Sequence, residues 1–202
     1  FTTDGSEPDS IHAPVFNGNM VIQKNTTVKA KAVKDGWYSS DVISFDFLKN
    51  TYIPDSVRLL YKLNEVHLAD GANTFFNKKL GAIGANNPAW ANFWAGARSR
   101  DMGLVAMFNK PVMLSSFGLH YMVQEDNGIY PPGTVEVWGG ENEQHCKLLL
   151  TLRPPLPKKG ELPSLKLAEG NFKAQVVSYL RIIAKPHKEK KDEHLLLVDE
   201  MF

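Results

Sequence analysis

Apolar residues in this chain recur at every second position, and nowhere at every third or fourth for long enough to build a helix of three turns. Val28, Ala30 and Ala32 alternate with Lys29 and Lys31, and Ile43, Phe45 and Phe47 alternate with Ser44 and Asp46. The same pattern returns at Leu104/Ala106/Phe108, at Phe117/Leu119/Tyr121/Val123 and at Val135/Val137, and Tyr179/Arg181/Ile183 alternate with Leu180/Ile182/Ala184. A period of two puts alternate side chains on opposite faces of a strand, so each stretch predicts a half-buried strand. Turn formers separate them: Asp35-Gly36, Asn127-Gly128, Pro131-Pro132-Gly133 and Gly139-Gly140. Short strands punctuated in this way predict an all-β chain built as β-sandwiches.

The 202 residues could hold one large domain or two small ones. We place a boundary near Lys49 to Pro54, giving a compact β unit over 1–49 and a second over 55–202. The first fifty residues carry five Lys against six Asp and Glu, and the remainder carries +2, which together make the formal charge of +1. That balance argues against a polybasic nucleic-acid arm or an acidic tail. Arg153 to Pro163 holds four prolines and reads as a long loop between strands. No apolar run approaches the roughly 20 residues of a membrane-spanning helix. The single cysteine, Cys146, excludes an internal disulfide and a Cys-rich zinc site, and reads as a small buried hydrophobe.

Two sets of motifs carry family resemblances. Thr2-Thr3-Asp4-Gly5-Ser6-Glu7-Pro8, followed by Thr27-Val28-Lys29-Ala30-Lys31-Ala32 and Gly36-Trp37-Tyr38-Ser39-Ser40, resembles the chitobiase/β-hexosaminidase C-terminal domain, also called fibronectin-type-III-associated. That family has a strand before the Thr-Thr-Asp-Gly hairpin, so the resemblance implies a unit truncated at its N-terminus. Downstream, Leu68-Ala69-Asp70-Gly71, Trp94-Ala95-Gly96 with Asp101-Met102, Gly128-Ile129-Tyr130-Pro131-Pro132 and Val198-Asp199-Glu200 occur in order. This series resembles a discoidin-type domain (coagulation-factor 5/8 type C), the group that includes carbohydrate-binding module family 32. The pair implies a short Ig/fibronectin-like sandwich followed by a discoidin-like jelly roll. Its implied role is a non-catalytic accessory region of a secreted or surface carbohydrate-active enzyme, such as a hexosaminidase or fucosidase. The location implied is extracytoplasmic: periplasmic, cell-surface or secreted. The expected partner is a glycan, bound weakly, or a neighbouring catalytic domain, with no nucleic acid and no membrane insertion. The alternative is a purely structural or protein-interaction module without a sugar ligand.

The residues support binding over chemistry. The chain has no Gly-x-Ser-x-Gly elbow, His-Glu-x-x-His, phosphate-binding loop or dinucleotide glycine fingerprint. Leu68 to Thr74 concentrates oxygen donors of the kind calcium takes. Carried over from the discoidin-type sugar binders, Asp70, Asn73 and Thr74 match a structural cation loop, with Glu200 as the distant ligand. The competing reading is an Asx-turn in which Asp70 bonds the backbone ahead of it. Sugar recognition needs flat rings flanked by polar groups. Trp90, in the loop Asn86 to Trp94, is the preferred exposed ring, with Tyr130 next and Arg98 as polar partner. Both rings could instead cover the edge of the sandwich. Trp94, Trp37 and Trp138 read as packing. His187 and His194 lie in the charged run from Lys185 and read as a solvated hairpin tip, because clustered ammonium groups repel a divalent cation.

Overall fold

The computed structural model describes residues 1–84, 91–190 and 192–202. The chain is all-β with antiparallel pairing, as the alternation predicts, and it separates into two compact units, Phe1–Thr51 and Tyr52–Phe202.

In the first unit β1 (Thr26–Ala30) pairs with β2 (Ile43–Phe47), Val28 opposite Phe45, and Thr2 bridges to Lys29. Asp4 closes the opening turn by accepting from both the backbone N–H and the hydroxyl of Ser6 through Oδ1, next to Gly5 at φ 85°. Val28 is buried, but Ile43, Phe45 and Phe47 of β2 are all about half exposed or more. Alternation predicted burial of that face. Two strands and a bridge cannot cover one, which takes three or more strands or a packed neighbour. Trp37 also departs from its packing role: it is 72% exposed, with the Lys34 ammonium 5.0 Å from its ring centroid.

The second unit holds β3 (Ser56–Leu59), β4 (Ala95–Arg98), β5 (Met102–Val123), β6 (Thr134–Gly140), β7 (Cys146–Leu152), β8 (Ser164–Lys185) and β9 (Leu195–Met201). The strands β5 and β8 are each 22 residues long and pair with each other along most of that length. One half of this ribbon, Met102–Met107 against Tyr179–Ala184, lies between β3 and the β6-β7 pair. The other half, Ser116–Val123 against Ser164–Asn171, is extended by β9 and then β4. The pairing breaks between Met107 and Val112, where Pro111 offers no N–H to the ladder, and slips again between Leu114 and Ser116. Residues 109–111 are exposed at this break. Side chains from both halves meet in one core that includes Leu104, Ala106, Val137, Ile182, Leu119, Leu196 and Val198. This is the sandwich the short strands predicted, made from strands longer than any alternating run shows.

The strand β9 is buried along its whole length. Leu196, Val198 and Met201 face the main core, whereas Leu195 and Leu197 join Trp94, Met122 and Ile129 in a second cluster behind it. The long loop expected over Arg153 to Pro163 runs between β7 and β8. Cys146 is half-buried at the start of β7, less enclosed than its sequence setting implied.

Candidate functional site

The sequence-predicted residues fall at opposite ends of β9. At its C-terminal end β9 carries a bulge. Tyr121 pairs with Val198 and His120 with Glu200, which leaves Asp199 as an extra residue without a partner on β5. A bulge re-aims side chains. Leu119 and Met201 face the main core, so His120 and Glu200, one step along their paired strands, face the side of Trp94. The bulge brings Asp199 to that side as well: its Oδ1 lies 2.7 Å from His120 Nδ1, and its Oδ2 accepts from Gly81 N–H at 2.6 Å. A carboxylate only accepts, so Nδ1 carries the proton in this pair. Glu200 Oε2 accepts from Lys78 N–H at 3.0 Å. Two consecutive acids therefore tie down two backbone donors of one loop.

That loop closes on Trp94. The indole N–H donates to the Ala82 carbonyl at 3.2 Å, and the ring stacks on His120 with 6.4 Å between centroids and 19° between planes. Gly81 is required by proximity: a Cβ there would sit 2.4 Å from Trp94 Cε2. Trp94 and Asp199 are 0% exposed and His120 is 1% exposed. Both side chains of this His–Asp pair are buried, and they meet the Gly81 N–H and the Trp94 ring.

Of the four residues expected to ligate calcium, the structure joins two. The Asp70 N–H donates to Thr74 Oγ1 at 2.9 Å, across the start of the 3-10 turn Gly71–Phe76. Asp70 and Asn73 are exposed, while Thr74 is buried. The Asp70 carboxylate makes no capping bond to the turn, so the Asx-turn reading is replaced by one made from the Thr74 hydroxyl. Ala69 and Gly71, on either side of Asp70, both have left-handed φ, 44° and 59°. Glu200 reaches the chain at Lys78, four residues past Thr74. Among the described residues no three His, Cys, Asp or Glu side chains converge on a point.

The other end of β9 gathers Arg98 and Tyr130. Arg98 of β4 is the register partner of Leu195, and Leu195 also bridges to Ile129. Tyr130 N–H donates to the Leu195 carbonyl at 3.1 Å, and Ser99 N–H to the His194 carbonyl at 2.7 Å. Arg98 is exposed, as a binding role needs. Tyr130 is not the exposed ring expected: it is 3% exposed, stacked on His194 at 6.0 Å, with the Lys190 ammonium 5.2 Å from its centroid. Nor does His194 belong to a solvated tip. It is fully buried, and its Nε2 donates to the Pro131 carbonyl at 2.9 Å. Burial pushes the His194 ring below the ordinary histidine range, against the opposing pull of that carbonyl. Trp94 packs as expected, Trp138 is half-buried under the Arg181 guanidinium, and Trp90 lies outside the described residues.

Sequence reasoning missed Asp199, His120 and His194 as structural polar residues. The signal for His120 was present: it interrupts the out-facing set of a strand whose in-facing set is Phe117, Leu119, Tyr121 and Val123. Nothing local announces the bulge that recruits Asp199.

The family model "Fn3 associated" matches residues 1–47. No curated protein matches the chain. Among solved structures, the chain is similar to the family 32 carbohydrate-binding module of AlyQ in complex with 4,5-unsaturated mannuronic acid (TM-score 0.45, 9% identity, covering 74% of this chain and 94% of that one). It is also similar to CpGH89CBM32-5 from Clostridium perfringens in complex with GalNAc-β-1,3-galactose (TM-score 0.48, 9% identity, 72% of this chain and 91% of that one). A third is the family 32 module from C. perfringens NanJ in complex with galactose (TM-score 0.44, 10% identity, 72% of this chain and 90% of that one).

Proposed function

We propose that this chain is a non-catalytic accessory region of a secreted or surface carbohydrate-active enzyme, and that its second unit binds glycan weakly. The observation that carries the non-catalytic part is the engagement of Asp199 and Glu200. Both acids are buried and both hold backbone N–H groups of the 78–81 loop. A glycosidase would need two acids facing a sugar across several ångströms. What this end of the sandwich supplies instead is rigidity for loops. The glycan part rests on Arg98, an exposed fork of donors on an edge strand, and on the ordered discoidin-like motifs around it. Affinity for a single sugar is expected to be modest, because few contacts offset the desolvation of many hydroxyls.

A glycan array followed by calorimetric titration tests this, with Arg98→Gln as the comparison. Binding to a neutral oligosaccharide that falls about tenfold in the variant, near the worth of one charged hydrogen bond, is the expected result. No binding to any glycan leaves the second reading, a structural or protein-interaction module. The half-exposed apolar face of Ile43, Phe45 and Phe47 in the first unit favours that alternative.

The donor chemistry of the 69–74 turn fits a hard cation. It offers the Asp70 carboxylate, the Asn73 amide and the Thr74 hydroxyl within five residues, with Glu200 as a further carboxylate on β9. Bound calcium would supply structural bracing of this loop and no catalytic step. Saturating calcium against chelator is expected to raise Tm by on the order of 5 °C. Asp70→Asn should abolish the shift while leaving the chelated Tm in place, since that carboxylate caps nothing in the fold. An equal Tm with calcium and with chelator contradicts the site.

A further inference from the structure

We propose that the outer face of the β3-β5-β8-β6-β7 half of the second unit binds a polysaccharide carrying carboxylate or sulfate groups, through Arg58, Arg181 and Tyr179. The choice of a saccharide over other polyanions rests on the glycan-binding reading above; the site is a different one.

The register places these residues side by side. Arg58 is opposite Val105, Val105 opposite Arg181, and Arg181 opposite Trp138. Cross-strand partners point to one face, and the core side is taken by Leu104, Ala106, Val137, Leu180 and Ile182, so this row faces outward. Two guanidinium groups thus flank Val105, which is 1% exposed beneath its neighbours even though it lies on the outer face. The Arg181 guanidinium lies 4.9 Å from the centroid of Trp138, which fixes the fork in place. Neither arginine has an ion-pair partner among the described residues, and Arg181 Nε makes no hydrogen bond.

Tyr179 lies on the same face, two residues before Arg181. It is 6% exposed, and its hydroxyl has no hydrogen-bond partner. A buried hydroxyl left unpaired costs stability, which is reason to look for what it meets. Burial raises the Tyr179 pKa above its ordinary value, Glu143 and Cys146 add to this, and Arg181 and Arg58 oppose it. The hydroxyl is therefore a protonated donor at neutral pH. Acids face this row too: Glu143 acts on the Tyr179 hydroxyl, and Glu136, which also feels Arg181, accepts from Lys185 at 2.6 Å and from the Trp138 indole N–H at 3.3 Å. What is left for a ligand is two guanidinium forks without an ion-pair partner among the described residues and one hydroxyl donor, carried on adjacent strands of one sheet face. Planar forks suit carboxylate and sulfate oxygens, and a row of them suits a linear chain with a charge on successive sugars.

The test titrates the intact 202-residue chain with a galacturonate hexamer, a heparin-derived hexasaccharide and a neutral galactose-based hexamer, in low and raised salt. At least one acidic oligomer is expected to bind about tenfold tighter than the neutral one, with affinity falling as salt rises. Which one wins distinguishes carboxylate from sulfate. Arg58→Gln/Arg181→Gln should weaken acidic binding at least tenfold, and the charge-matched Arg153→Gln/Lys173→Gln should not. Tyr179→Phe should weaken it severalfold without lowering Tm, because it removes a hydroxyl that nothing in the fold uses. Arg58→Gln alone, at an exposed position, guards against a double variant that fails to fold. The inference is overturned if acidic oligomers bind no tighter than the neutral one, or if losing Arg58 and Arg181 changes affinity less than twofold. Neutral binding without acidic preference overturns this inference alone, whereas no binding of any oligomer overturns the glycan reading with it.

Discussion

Asp199→Ala is expected to destabilise the second unit by about 3–5 kcal/mol, the scale for removing one member of a buried, hydrogen-bonded charged group. The carboxylate is fully buried and serves two donors, Gly81 N–H at 2.6 Å and His120 Nδ1 at 2.7 Å. Truncation leaves both inside the protein without their acceptor, and each such orphan costs about 1–3 kcal/mol. Asp199→Asn keeps the shape but turns one accepting oxygen into an amide that faces a donor. Its loss should therefore be substantial but smaller than that of Ala. Denaturant unfolding followed by near-ultraviolet circular dichroism checks the order. Wild-type stability in Asp199→Ala would show that the loop over 78–81 is held by something other than this acid.

Trp94→Ala should cost about 3–5 kcal/mol as well, with a fall in Tm on the order of 10 °C for a unit of this size. The ring is 0% exposed, lies against Gly81, and stacks on His120. Its removal opens a cavity between the second hydrophobic cluster and the loop, and frees the Ala82 carbonyl from the indole N–H. Trp94→Phe keeps most of the apolar contact and loses the hydrogen bond, so it should recover more than half of the loss. The ordering of Ala below Phe below Trp in thermal scans is the check. Because Trp94 and Asp199 grip the same loop, the double variant should lose less than the two single losses added together.

Alternation alone was enough to read the all-β class, because period-2 burial leaves its mark residue by residue. It located Val135/Val137, Leu104/Ala106 and Phe117 to Val123 on the core side of their strands. It failed where a strand depends on what lies beside it. The face of β2 alternates as cleanly as β5 but stays exposed, since pairing with β1 alone gives it nothing to pack on. The 22-residue lengths of β5 and β8 were hidden by their exposed middles, where Pro111 breaks the ladder. The site was legible in part. Trp94 as core came from the discoidin-type resemblance, and Arg98 as a polar binding partner from its place just after the Asn86 to Trp94 loop. Tyr130 looked free among Gly and Pro residues, yet a turn's side chain is exposed only if no other loop covers it. Here His194 and Lys190, some sixty residues away in sequence, cover its ring. The roles of Asp199 and His120 depend on a register slip between β5 and β9, which only the paired strands reveal.

Glycan binding without turnover at the Leu195 end of β9 is tested most directly by chemical-shift mapping of the ¹⁵N-labelled chain during titration with a neutral oligosaccharide. Saturable shifts are expected at Arg98, Ser99 and neighbouring amides at that end, with no turnover of the glycan over days. The amides of Lys78 and Gly81, locked to Glu200 and Asp199, should stay in place. Hydrolysis of the glycan, or saturating concentrations that move no amide at that end, would contradict it.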